Sequence, residues 1–179
     1  MLQKSSMQRT AEIFFLNPAK SHYLIDISRK IGIAHTSVKS SLVKLIKLGL
    51  IEEVKEKKGT RIFPVYRAKK EDKTFRECKK IHNLSFLLES KLIEFIEEKL
   101  APKCIVLFGS YARGEDAENS DIDIFVECKK EDLGLGKFEK NLGRKIELHF
   151  SENFASYPKE LKNNIINGIV LSGFLEGYK

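Results

Sequence analysis

The sequence predicts an α+β protein of two domains joined by a helical segment. Three observations lead to this prediction: the excess of positive over negative charge is confined to the N-terminal part, the middle lacks Gly and Pro, and apolar and polar residues alternate towards the C-terminus. The length of 179 residues is sufficient for one medium domain or two small ones. We place the predicted domain boundaries at 1–70, 71–100 and 101–179.

The charge distribution separates the N-terminal part from the rest of the chain. Residues 1–70 carry 15 Lys or Arg against 5 Asp or Glu, whereas the whole chain has a net charge of only +7. A basic segment of this size favours a polyanionic partner through release of counterions. The alternative is a lysine-rich surface that is merely solvated.

Composition argues against several classes of protein. Apolar residues make up 42% of the chain, so a disordered chain is not expected. No apolar run approaches the roughly 20 residues that span a bilayer, and the polar N-terminus lacks a secretory signal. We therefore expect no membrane partner and a cytoplasmic location. Three cysteines without CxxC spacing argue against a disulfide framework or a structural zinc site.

The first 70 residues predict three helices followed by a β-hairpin. Pro18 disfavours helix at the residue before it, and Gly32 and Gly49 supply helix ends. Apolar residues of the third helix recur at steps of four, three and three: Val38, Leu42, Leu45 and Leu48. The predicted helices cover 7–16, 25–31 and 35–48, and the predicted strands cover 51–56 and 61–67.

Three helices with a glycine turn before the third, followed by a basic hairpin, resemble the winged helix-turn-helix family of DNA-binding domains. The resemblance covers about residues 7–70 and is most specific over IGIAHTSVKSSLVKLIKLGLIEE. In that family the third helix enters the major groove and the wing touches the DNA backbone or the minor groove. The resemblance implies DNA binding by His35, Thr36, Ser37, Lys39, Ser40, Lys44, Lys47, Lys57, Lys58 and Arg61. A winged helix that docks a protein is the alternative.

Residues 71–100 contain neither Gly nor Pro and predict one or two helices. We expect an apolar stripe along them, formed by Ile81, Leu84, Leu88, Leu92, Phe95 and Ile96. Such a segment separates two domains, pairs with its copy in a homodimer, or packs against the C-terminal sheet.

Two short segments after residue 100 place polar residues where phosphate and metal chemistry require them. An apolar strand over 103–108 ends at Gly109 and Ser110, where the N–H groups of a new helix form a phosphate seat. Asp121 and Asp123 alternate with apolar residues, so both carboxylates share one face of a strand. Neighbouring anions favour a bound cation such as Mg²⁺ or Mn²⁺. The alternative is a pair that simply faces solvent.

A third carboxylate is expected from a later strand. Residues 145–150 alternate again, with Glu147 opposite the apolar face. If this strand neighbours the one that carries the Asp pair, Glu147 faces that pair. There it could hold a second metal and accept the proton of an attacking hydroxyl. Tyr111 and His149 are expected to pack in the core or at an edge, and contact with phosphate is the alternative for both.

The motif GSYARG, followed by SDIDIFV and a later strand carboxylate, resembles the nucleotidyltransferase superfamily shared with DNA polymerase beta, and in particular its minimal subfamily. The resemblance covers residues 101 to about 175 and implies a mixed sheet. By position, it implies that the phosphates of an NTP are bound by Gly109, Ser110 and Arg113. It implies that the catalytic metal ligands are Asp121, Asp123 and Glu147.

Two positions within this motif carry alternatives. Glu147 stands where the family more often has Asp, which makes it the least secure of the three ligands. Arg113 matches a frequent arginine of the family, and a structural ion pair is its alternative role.

The two resemblances together imply a DNA-binding protein with a Mg²⁺-dependent nucleotidyltransferase domain, which transfers NMP from an NTP, with ATP expected, to an acceptor. One implied role is the antitoxin of a toxin–antitoxin pair, which adenylylates a tyrosine of its protein toxin and regulates its own operon. The alternative is a winged-helix transcriptional regulator whose C-terminal domain senses NTP without catalysis. A homodimer on paired half-sites is a further expectation.

Overall fold

The computed structural model describes residues 4–154 and 157–176. The chain divides into two compact units, Met1–His82 and Asn83–Lys179, and the division falls inside the predicted helical segment 71–100. Among the described residues, no helix combines the length and the apolar character that crossing a membrane requires.

The N-terminal unit contains three helices followed by an antiparallel hairpin, in the order that the sequence predicts. Its elements are α1 (Ser6–Leu16), α2 (Leu24–Ile31), α3 (His35–Lys47), β1 (Ile51–Lys58) and β2 (Arg61–Ala68). Gly32 ends α2 with a φ of 62°, in the left-handed region that favours glycine. The hairpin pairs continuously from Ile51 with Ala68 to Lys58 with Arg61, so the basic loop lies at its tip.

The apolar faces of these helices meet in one core. Phe14, Ile27, Val38, Leu42 and Leu45 are all almost completely buried there. The prediction that Leu48 continues the apolar face of α3 is wrong. The helix ends at Lys47, so Leu48 is its C-cap residue and its side chain is exposed.

The middle segment forms two helices, α4 (Lys73–Glu89) and α5 (Leu92–Leu100). They are separate because Lys91, between them, has a φ of 65°. The predicted apolar stripe is wrong at Ile81 and Leu88, which are exposed. The buried positions of α4 recur every four residues: Phe75, Lys79, Asn83 and Leu87. Two of the four are polar, so apolar spacing alone indicates the wrong face of this helix.

The C-terminal unit contains a four-stranded mixed sheet, as predicted, in the order β5-β4-β3-β6. The strands are β3 (Cys104–Phe108), β4 (Ile122–Val126), β5 (Ile146–Phe150) and β6 (Ile169–Gly173). Strand β3 is antiparallel to β4 and β6, whereas β4 and β5 are parallel. The helices are α6 (Gly109–Arg113) after β3, α7 (Gly136–Leu142) after β4 and α8 (Lys159–Ile166) after β5.

Both faces of this sheet are covered by apolar clusters. Ile105 and Leu107 of β3 belong to one cluster, together with residues of α5 and α7. Val106 and Phe108 point to the other face and belong to a second cluster. Asp123 is the register partner of Phe108 in the antiparallel pair and lies on this second face. Polar residues of β4 and β5 on this face therefore lie at the border of a buried apolar cluster.

Candidate active site

Two carboxylates and a histidine gather where β3 ends and where β4 and β5 begin. Asp123 lies beside Phe108 of β3 on one side and beside Glu147 of β5 on the other. His149 follows Glu147 by two residues and therefore points to the same face of the sheet. The strand register thus brings Asp123, Glu147 and His149 together.

The three side chains present their polar atoms to one small volume. The Nε2 atom of His149 lies 3.4 Å from Oδ1 of Asp123 and 3.9 Å from Oε1 of Glu147. One ligand atom from each residue lies within 4.8 Å of the other two. Two carboxylate oxygens and an imidazole nitrogen form a donor set that fits a divalent metal ion.

The surroundings of Asp123 oppose its negative charge. Partial removal from water raises the pKa of this carboxyl above its ordinary value, and the charges of Glu147 and Asp121 raise it further. The neighbouring His149 acts in the opposite direction and lowers the pKa. A divalent cation among these carboxylates would relieve their mutual repulsion, so the electrostatics agree with the donor set.

The turn after β3 approaches Asp123 so closely that it has room for glycine alone. Gly109 has a φ of 74°, in the left-handed region. A Cβ atom at this position would overlap Oδ2 of Asp123 and would lie 3.2 Å from its Cγ. Ser110 follows as the second residue of α6 and is partly exposed. A ligand held by Asp123 would therefore lie beside the main chain of this turn.

A methyl group at Gly109, in the variant Gly109→Ala, should displace the side chain of Asp123. The catalytic activity of the candidate site should therefore fall. We expect a loss of at least about a hundredfold, because a displacement of about 1 Å in a catalytic group costs that much. Gly143→Ala is the matched control, since Gly143 has a φ of 66° but open space around the position of a Cβ. Both variants should lose about 1–2 kcal/mol of unfolding free energy from the left-handed backbone, measured in urea. Equal activity in the two variants would mean that the close approach of Gly109 to Asp123 is not needed for activity.

The other residues predicted for this site lie around the cluster in different ways. Asp121 is exposed, directly precedes β4 and is not part of the group of three ligand atoms, although its charge acts on Asp123. Arg113 forms an exposed ion pair with Glu115, with 2.7 Å between Nε and Oε2. This ion pair is the alternative that the sequence left open for Arg113. Phosphate binding by Arg113 stays a prediction.

The sequence reasoning missed the contacts that His149 makes. Its ring does pack against Phe108, with ring centroids 5.0 Å apart, as the expectation of packing requires. Its Nε2 atom nevertheless faces both carboxylates. The available signal was alternation, because Glu147 and His149 share one face of any strand that contains them.

A buried ion pair, also missed, holds the loop that leads into β4. Nη2 of Arg144 lies 2.7 Å from Oδ2 of Asp116, and both side chains are almost fully buried. Arg144 also donates hydrogen bonds through Nη1 to the carbonyl oxygens of Ala117 and Ser120. Asn83 donates from Nδ2 to Oδ1 of Asp116 at 2.7 Å. These contacts fix the main chain just before the carboxylates of β4.

The residues predicted for DNA binding all lie on the surface of the N-terminal unit. The seven residues of α3 predicted for DNA binding are exposed, and so are Lys57, Lys58 and Arg61 at the hairpin tip. The ammonium of Lys58 lies 4.6 Å from the centre of the Tyr23 ring. The predicted residues of both regions are polar, and the charged ones among them are lysines and an arginine.

Carboxylates grouped beside a glycine turn could hold a metal ion, and bound metal ions catalyse the transfer of phosphate-containing groups. Comparison with known proteins agrees with this class of reaction. The family model described as "Nucleotidyltransferase domain" matches residues 89–171.

Proteins of Methanocaldococcus jannaschii are similar to part of the chain. One, named "Putative protein adenylyltransferase MJ1379", is 44% identical over 84 residues, which are 42% of this chain and 77% of that protein. Another, named "Putative protein adenylyltransferase MJ0126", is 41% identical over 71 residues, which are 40% of this chain and 61% of that protein. The chain belongs to the nucleotidyltransferase family.

A solved structure from Methanosarcina mazei Go1, titled "Possible transcriptional regulator", also matches. Its TM-score is 0.36 and its sequence identity is 14%, and the match covers 52% of this chain and 79% of that one.

Proposed function

We propose that the protein is a metal-dependent nucleotidyltransferase that transfers AMP from ATP to a hydroxyl of a protein acceptor, with a DNA-binding winged helix at its N-terminus. The observation that carries the enzymatic part is the group formed by Asp123, Glu147 and His149 beside the Gly109 turn. Family membership supports the reaction type. The nucleotide and the acceptor class are the proposed details.

In this proposal the turn after β3 binds the phosphates of ATP, and the carboxylates at the start of β4 and β5 bind the metal. Gly109 and Ser110 would hold the β- and γ-phosphates, because main chain without a Cβ admits them close to Asp123. Asp121, Asp123 and Glu147 would hold Mg²⁺ or Mn²⁺, which supplies charge stabilisation at the reacting phosphate when it is bound. Glu147 is 61% exposed, so an acceptor can approach it from solvent.

The transfer forms one bond at phosphorus and breaks another. The hydroxyl oxygen of the acceptor attacks the α-phosphorus of ATP in line, and its proton passes to the carboxylate of Glu147. The bond from the α-phosphorus to the bridging oxygen breaks, and pyrophosphate leaves with that oxygen. The product is a phosphodiester between AMP and the acceptor.

A protein acceptor is proposed because two similar proteins are named protein adenylyltransferases. The antitoxin role predicted from the sequence would be one case of such a reaction, with the toxin as acceptor. In the described part of the C-terminal unit, residues 83–154 and 157–176, the regular elements are one sheet and its helices. The acceptor would therefore have to approach the strand ends from outside that unit.

Labelled ATP tests the reaction directly. The full-length protein is incubated with host-cell extract, Mg²⁺ or Mn²⁺, and ATP labelled at either the α- or the γ-phosphate. The proposal predicts a protein band labelled from α-phosphate and not from γ-phosphate, because the γ-phosphate leaves within pyrophosphate. Nuclease-sensitive label would indicate a nucleic-acid acceptor. Label from the γ-phosphate would indicate phosphoryl transfer and contradict the proposal.

The alternative, a sensor of NTP, predicts a different result in the same assay. No label would form, whereas ATP would still bind and change the affinity of the protein for DNA. Measuring DNA affinity with and without ATP therefore distinguishes a sensor from an enzyme.

DNA binding by the N-terminal unit is proposed from its surface. The exposed face of α3 carries small hydrogen-bonding residues near its start and lysines further along, and the hairpin tip adds basic residues. The residues near the start of α3 suit hydrogen bonds to base edges, and the lysines further along suit contacts with phosphates. The three-helix and hairpin arrangement supports the assignment.

Neutralising the hairpin tip should weaken DNA binding for all sequences. The variant replaces Lys57, Lys58 and Arg61 by glutamine, and duplex binding is followed by fluorescence anisotropy between 50 and about 200 mM salt. Removing one cation that neutralises a phosphate should flatten the slope of log K against log salt by about 0.9, so we expect a decrease of up to about 3. A matched variant replaces three exposed lysines of the other unit: Lys129, Lys130 and Lys140. If both variants have the same slope as the unchanged protein, the hairpin does not touch phosphate.

A further inference from the structure

We propose that Nε2 of His149 is a direct ligand of the divalent metal and that this nitrogen shifts the preference of the site from Mg²⁺ towards Mn²⁺. The inference deepens the proposed function and depends on its metal site. It concerns a residue that neither the motif of the family nor the sequence pattern assigns to the metal.

The spacing of the three polar atoms matches a coordination sphere. An ion with ligand bonds of about 2.1 Å in octahedral geometry places neighbouring ligand atoms roughly 3 Å apart and opposite ones roughly 4 Å apart. The distances of 3.4 and 3.9 Å from His149 Nε2 to the oxygens of Asp123 and Glu147 are close to these values. Small side-chain movements would therefore suffice to bind all three atoms to one ion.

The packing of the histidine holds its nitrogen towards the carboxylates. The ring of His149 meets that of Phe108 at 65°, an edge-on contact. Its side chain is only 18% exposed. The main chain at this position is fixed by the parallel pairing of β5 with β4, where His149 lies beside Phe125. The imidazole is thus positioned before any metal binds, which lowers the entropic cost of ligation.

A comparison with another histidine of the chain shows what distinguishes this one. His82 also has a carboxylate nearby, because its Nδ1 atom lies 3.9 Å from Oε1 of Glu12. Among the described residues, however, the group of three possible ligands contains His149 and not His82. One carboxylate and one histidine make an ion pair, whereas two carboxylates and one histidine provide three ligands for a metal.

The nitrogen ligand has a chemical consequence for metal choice. Mg²⁺ is a hard ion that prefers oxygen ligands and gives up water reluctantly. An imidazole nitrogen favours a first-row transition-metal ion over Mg²⁺, and Mn²⁺ is the member of that series that also suits carboxylate and water ligands. Replacing the nitrogen by an amide oxygen should therefore reduce the affinity for Mn²⁺ more than the affinity for Mg²⁺.

Electron paramagnetic resonance on the full-length protein tests the ligation without relying on activity. Mn²⁺ is bound to the protein, and electron spin-echo modulation is recorded for coupling to a directly bound nitrogen. The proposal predicts ¹⁴N modulation that changes to a ¹⁵N pattern when the histidines are labelled with ¹⁵N and that is absent in His149→Gln. Mn²⁺ bound with no nitrogen coupling would overturn the proposal. The comparison of ¹⁴N with ¹⁵N histidine uses the unchanged protein, so it tests for a nitrogen ligand even if His149→Gln fails to fold.

Calorimetric titration tests the metal preference. In His149→Gln we expect the affinity for Mn²⁺ to fall at least about tenfold, and the affinity for Mg²⁺ to change less than about threefold. His149→Phe keeps the ring against Phe108 and should lose Mn²⁺ affinity in the same way. Equal losses of affinity for Mn²⁺ and Mg²⁺ would overturn the proposal that His149 shifts the site towards Mn²⁺.

The two proposals fail in different ways. If Mn²⁺ binds without nitrogen coupling and transfer of α-label persists, the role of His149 is wrong and the proposed function stands. If Asp123→Asn binds Mn²⁺ as tightly as the unchanged protein, the metal site itself lies elsewhere and both proposals fail.

Discussion

Replacing Asp123 by asparagine should lower the rate of nucleotidyl transfer by at least about a thousandfold while the protein still folds. Asp123 lies between the Gly109 turn and Glu147, so both phosphate and metal would lie against it. Asparagine keeps the size of the side chain but removes the negative charge. The measurement is the initial rate of transfer of α-labelled ATP, with circular dichroism to check the fold.

Variants of two further aspartates test whether the loss of rate is specific to particular carboxylates. Asp132→Asn removes an exposed carboxylate in the loop after β4 and should leave the rate unchanged. Asp121→Asn tests the second carboxylate of the motif, which lies outside the group of three ligand atoms. We expect it to lose activity as well, because Asp121 is one of the carboxylates proposed to hold the metal. If Asp123→Asn keeps a tenth or more of the rate, Asp123 is not at the reaction centre.

Replacing Arg144 by methionine should produce the largest loss of stability in the C-terminal unit, about 3–5 kcal/mol of unfolding free energy. The change removes the guanidinium that forms a buried ion pair with the carboxylate of Asp116. It also removes hydrogen bonds to the carbonyls of Ala117 and Ser120. Urea unfolding followed by circular dichroism gives the free energy.

A double-mutant cycle shows whether the loss comes from the pair. The double variant Arg144→Met with Asp116→Leu removes both charges together and should be more stable than the sum of the single losses predicts. The control is Lys91→Gln, which removes an exposed ion pair with Glu94 and should change stability by less than about 1 kcal/mol. Additive losses would mean that Arg144 and Asp116 stabilise the loop independently.

Most element types were predictable from local patterns, because helix and strand periodicities and glycine stops act over a few residues. The hairpin, α3 and the strands that carry Asp123 and Glu147 were found in this way. The mixed sheet was predicted from resemblance and is confirmed. The helices α7 and α8 and the strand β6 were not predicted.

The missed features depend on contacts between distant parts of the chain. The face of α4 was assigned wrongly because its buried side includes Lys79 and Asn83, and a polar residue is judged exposed unless its partner is known. The ion pair of Asp116 and Arg144 could not be found because the two residues belong to separate loops. The contact of His149 with Asp123 depends on the register between β4 and β5, which the sequence does not contain.

The parallel pairing of β4 with β5 has a consequence for folding. Strands β3 and β4 are joined through the short helix α6 and form an antiparallel pair, whereas the parallel neighbour requires a crossover through α7. The turn at Gly109 and the carboxylate of Asp123 can therefore meet early, while Glu147 and His149 join only after a long loop has closed. On a ribosome, the nascent chain would acquire a half-formed site first and a complete one only after β5 has emerged. Nucleotidyl transfer is thus tied to completion of the domain, and intermediates that lack the crossover would be inert.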